Sequence, residues 1–114
     1  MPSLMPKDAA GETIPVLGFM PGAGAHSVSV TASSARNSVA FDADTRVVTI
    51  YATVGCHIEQ GAAAVVSTTS RHFIPAGAYL DIDVGGGGQP GHRYIAVIKA
   101  SGESDGMLYI SERV

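Results

Sequence analysis

The chain has 114 residues, enough for one domain that buries about two-thirds of the surface its unfolded form exposes, and a hydrophobic content of 46% supplies a core without metals or disulfides. Charged residues make up only 15% and the net charge is −3, with Lys and Arg scattered singly, so no basic stripe is present to neutralise a run of phosphates and nucleic acid is excluded as an expected partner. The single Cys56 excludes an internal disulfide and is expected to pack as a small apolar residue, and no stretch reaches the ~20 apolar residues of a membrane helix.

The first 25 residues form a segment of their own. Pro2, Pro6, Pro15 and Pro21, with Gly11, Gly18, Gly22 and Gly24, punctuate it too densely for a helix or a central strand. An extended N-terminal arm over 1–25 is predicted. Ile14, Val16, Leu17, Phe19 and Met20 lie between these breakers, a set of apolar groups that needs something to bury against. They are the candidate partner-binding residues. The arm lacks a basic region followed by an apolar run, so no secretory leader is expected and synthesis in the cytoplasm follows.

From His26 to Val114 the pattern is that of a β-sandwich domain. Val28 and Val30 alternate with Ser27, Ser29 and Thr31, which puts them on opposite faces of a strand. Between Arg46 and Glu59, Val48, Ile50, Ala52, Val54, Cys56 and Ile58 share one parity, which predicts a core-facing side for one long strand, or for a pair bent at Gly55. Pro75, Ala76 and Gly77 predict a tight turn. Leu80, Ile82 and Val84 then alternate with Asp81 and Asp83, and the glycines from Gly85 to Gly88 predict a loop. The last two runs are Tyr94 to Ile98, apolar on both parities as in a strand covered on both sides, and a final strand that Ser101 to Gly106 joins to it as a hairpin. Seven or eight short strands without a capped helical window imply an all-β, two-sheet, jelly-roll-like sandwich.

Chemistry finds little footing in this pattern. His26, His57, His72 and His92 do not fall at zinc-site or cupin spacings, and Cys56 and His57 point to opposite faces of a strand. Asp81 and Asp83 share a face, an arrangement open to a cation if loop carbonyls join them, but a solvated strand face is the expected reading. The four glycines lack the downstream Gly-Lys-Ser/Thr of a phosphate loop, and no G-x-S-x-G elbow occurs. No catalytic residue, metal or cofactor is expected, and the chain does not read as an enzyme.

Three stretches carry a resemblance: Val47 to Ile58 as VVTIYATVGCHI, Ser67 to Gly77 as STTSRHFIPAG, and Tyr94 to Glu112 as YIAVIKASGESDGMLYISE. Together they resemble small virion structural proteins of tailed bacteriophages, over residues 26–114. The likeness is greatest to capsid decoration, cement or staple proteins, and it implies no catalytic residues. It implies a jelly-roll subunit on the capsid exterior, bound to the major capsid protein and associated as a homo-oligomer, a dimer or trimer. Two other functions fit the same pattern. One is a host-recognition or glycan-binding module of a head fibre or tail, with Tyr51, Tyr79, Tyr94 or Tyr109 as sugar platforms; the other is a small cupin-like enzyme.

Overall fold

The computed structural model describes residues 17–85 and 92–113. Eight strands follow in chain order: β1 (Ala25–Val30), β2 (Ala35–Arg36), β3 (Val47–Ala52), β4 (Cys56–Gly61), β5 (His72–Ile74), β6 (Tyr79–Asp83), β7 (Tyr94–Lys99) and β8 (Gly106–Arg113). They form two four-stranded antiparallel sheets, in the orders β1-β8-β3-β6 and β2-β7-β4-β5. Partners are nested along the chain: β1 pairs with β8, β2 with β7, β3 with β6 and β4 with β5. It is as though one long hairpin had been rolled up, with the β3–β8 and β4–β7 pairings completing the sheets. This is the jelly-roll form of the sandwich.

The period-two pattern is what closes the two sheets on each other, because alternate side chains must leave water together. Val28, Val30, Val48, Ile50, Ala52, Leu108 and Ile110 from the first sheet meet Cys56, Ile58, Ile74, Ile95 and Val97 from the second, with Phe41 and Val84 filling in from the connections. Ile50, Ala52, Cys56 and Ile58 face the interior as their parity predicts, while Val54, at the bend, is half-buried against the same core. The run from Arg46 to Glu59 is thus the bent pair of strands, and its two halves belong to different sheets.

Three expectations need correction. Ser101 to Gly106 does not close a hairpin, since β7 lies in the second sheet and β8 in the first; the connection crosses the end of the sandwich. Among the described residues no layer covers the outside of β7. Ala96 is buried there because it is small and lies opposite the long side chains of Arg36 and Glu59, and the Arg36 guanidinium covers Tyr94 at 4.1 Å from the ring centroid. Leu80 has the inward parity but is exposed, because β6 is an edge strand with a neighbour on one side only. The expected glycine loop, apart from Gly85, lies outside the described residues.

The two crossings at this end of the sandwich pack on each other. Gly55, between β3 and β4, accepts the Ala100 N–H through its carbonyl and donates its own N–H to Glu103 Oε1, at 3.0 and 3.2 Å. Gly106, entering β8, has Thr53 Oγ1 and both Val54 methyls within 2.8 Å of where a Cβ would stand. A side chain at Gly106 would push against stiff β-branched neighbours, so glycine is required by the close approach.

Candidate interaction surface

The arm reaches the sandwich at its first described residues, and one side chain holds it there. Arg113, at the end of β8, donates from Nη2 to the Leu17 carbonyl at 2.6 Å and from Nε to the Gly18 carbonyl at 3.2 Å. Its guanidinium also lies 4.4 Å from the centroid of the Phe19 ring. Phe19 pairs with Arg113 in an isolated antiparallel bridge, and the Met20 N–H donates to the Glu112 carbonyl at 2.8 Å. Residues 19 and 20 therefore resume, ahead of the 3-10 turn at Gly22–Gly24, the line along β8 that β1 occupies from Ala25 onward.

Of the five candidate arm residues, Ile14 and Val16 lie outside the described residues. Leu17 and Phe19 are 45% and 58% exposed, and Met20 is half-buried against Gly24. The backbone is pinned while two apolar side chains are held outward. Beside them Leu17, Asp44, Arg46, Val47 and Arg113 line a surface depression of 350 Å³.

The same arginine joins the arm to the outer face of the first sheet. Arg113 Nη1 donates to Thr49 Oγ1 at 2.9 Å, and Thr49 donates onward to Asp81 Oδ1 at 2.5 Å, so one polar line crosses β8, β3 and β6. Two residues further along, the register sets Tyr51 between Tyr109 on one side and Tyr79 on the other. The three tyrosines share the face in one row, with the Tyr51 and Tyr79 ring centroids 6.2 Å apart. Tyr94 does not join them, because it lies on the outside of the opposite sheet beneath Arg36.

The remaining candidates disperse. Asp81 is occupied by Thr49, with Arg113 at 3.7 Å, and Asp83 accepts the Gly85 N–H at 2.7 Å in a local turn. His57 packs at a tilt against Phe73, ring centroids 5.4 Å apart, on the outside of the second sheet, and His72 borders an apolar groove of 310 Å³ between β5 and β6, with Ile58, Gln60, Ile74, Leu80 and Ile82. Among the described residues no three His, Cys, Asp or Glu side chains gather as a metal site would require. Cys56 is buried and its thiol is pushed up to about 11, first by burial and then by the nearby Glu103 carboxylate.

Sequence reasoning missed the most buried acid among the described residues. Glu112 faces inward with 1% of its surface exposed. Its Oε1 accepts the Thr45 hydroxyl at 2.6 Å and the Asp42 N–H at 2.8 Å, while Oε2 accepts from His26 Nε2 at 2.8 Å. The carboxylate ties β1 and the connection before β3 to the centre of the first sheet. Its parity with Leu108 and Ile110 was the available signal. No family model, no curated protein and no solved structure matches the chain.

Proposed function

We propose that the chain is a decoration, or cement, protein that binds the outside of a major capsid protein lattice in a tailed-phage head and stabilises it. The observation that carries this reading is the strap at Leu17 to Met20, where Arg113 fixes the backbone and leaves Leu17 and Phe19 facing outward. Anchors held in place before binding lose less freedom on binding, so more of their burial counts toward affinity. The jelly-roll topology and the resemblance of residues 47–58, 67–77 and 94–112 to virion proteins support it. So does the low charge, 15% of residues, since a charge-poor surface is cheaper to desolvate against a neighbour.

In this reading the protein is made in the host cytoplasm, joins the capsid exterior as a homo-oligomer, and acts by binding rather than by catalysis. A ligand that binds only the assembled state stabilises that state by mass action. Purified heads with and without the protein, heated in parallel, provide the test. The decorated heads are expected to release their DNA at a higher temperature, and L17S/F19S protein is expected to lose both the binding and the protection. Equal thermal resistance with saturated binding would overturn the cementing role.

A further inference from the structure

The outer face of the first sheet carries a row of exposed aromatic side chains. Tyr51, Tyr79 and Tyr109 are 37%, 61% and 46% exposed, and none of their hydroxyls makes a hydrogen bond among the described residues. The row is one residue wide. By strand register Ser27 continues the row on β1, Ser111, Thr49 and Asp81 flank it toward the arm, and Ser29 and Met107 flank it toward the far end. An aromatic side chain offers about 150–250 Å², so the exposed parts of the three amount to roughly 300 Å². A protein partner would need about 800 Å² from each side, and the small polar side chains beside the row do not supply a dry core of that size.

We propose that this row is a binding site for an uncharged saccharide chain. Neighbouring strands are ~4.8 Å apart, close to the length of one hexose unit, so successive sugar rings can each meet a tyrosine. The C–H faces of a sugar pack on aromatic rings, and its hydroxyls find the three phenol groups, which both donate and accept. Asp81 adds a carboxylate oxygen, since only Oδ1 is engaged by Thr49. Charge selects against an anionic polymer: the net charge is −3, and Arg113, the cation of this face, is spent on Thr49, Leu17 and Gly18. The 52° angle between the Tyr51 and Tyr79 rings suits a chain that twists from one unit to the next.

Saccharide binding at this row stands apart from shell binding through the strap, and either can fail without the other. The experiment is titration of the full chain with maltohexaose, cellohexaose, chitohexaose and a neutral mannan, followed by tyrosine fluorescence, which the absence of Trp leaves unmasked. At least one probe is expected to bind saturably. Y51A and Y79A are each expected to weaken it about tenfold, whereas Y94A on the opposite sheet leaves it unchanged. Circular dichroism melts of the variants show whether the fold is kept. No saturable binding by any probe would overturn the proposal, as would binding that Y51A leaves intact in a folded protein. A Y51A protein that has lost shell binding or self-association, with no saccharide bound by the unaltered chain, would reassign the row to a protein partner and overturn it equally.

Discussion

Cys56 opens β4 with its side chain sealed in the core, and this makes it inert as a nucleophile. The unfolded thiol ionises near 9.0 and the folded one at about 11, so between those pH values the unfolded chain loses its proton first. Stability from this group is complete below pH 9 and falls as pH rises toward 11, by about 2–3 kcal/mol in total. Urea titrations across that window are expected to show the decline, and C56A, which lacks the thiol, is expected to show correspondingly less of it. Glu112 acts in the opposite sense, as a polar group that the core requires. Substituting it with Ala leaves the Asp42 N–H, the Thr45 hydroxyl and His26 without their acceptor, a loss of about 3–5 kcal/mol in unfolding free energy. E112Q keeps one acceptor oxygen, and its cost is expected to fall between the Ala variant and the unaltered protein.

At the scale of elements, the legible part of the sequence was parity. Val28 and Val30, then Val48, Ile50 and Ala52, Cys56 and Ile58, and Ile95 and Val97 face inward because alternation leaves a half-buried strand no other choice. What parity does not encode is which sheet a strand joins. A turn sequence such as Ser101 to Gly106 serves a hairpin or a crossing equally well, and the decision lies with Gly55 and Gly106, where the two crossings meet. The exposure of Leu80 was equally hidden, since being an edge strand depends on the partners of β6 and not on its own residues. Within the site, the apolar spacing of the arm pointed to Leu17 and Phe19, but the partner that presents them, Arg113, lies 94 residues further along than Phe19 and no local pattern links the two. The strap gives a graded expectation. Removing residues 1–16 leaves every contact of Arg113 and Glu112 described above in place, and the melting temperature is expected to hold. Extending the deletion through Met20 removes the Leu17 and Gly18 carbonyls and the Met20 N–H, and is expected to cost about 1–3 kcal/mol while the sandwich stays folded.

For the whole molecule, topology outweighs local preference. The outermost pairing between strands joins Ala25 to Ser111, and the next, β2 with β7, joins Ala35 to Val97. Loops of that length must close before any contact rewards them, so refolding from urea is expected in the millisecond-to-second range, and a microsecond phase carrying the full amplitude would contradict the rolled-hairpin account. The position of β8 extends this into biosynthesis. It is the final described strand and yet an interior one, bonded to β1 on one side and β3 on the other. While a ribosome is still reading the codons for Gly106 to Arg113, the first sheet has a gap at its centre, and at about 5–20 residues per second the nascent chain spends roughly 0.4–1.6 seconds in that condition. β1 and β3 then offer open edges to any neighbouring nascent chain on the same message, whose own β8 would fit the gap as well. A message translated by closely spaced ribosomes thus has a built-in route to exchanged strands, and the yield of correctly closed chains is expected to rise the more sparsely it is loaded.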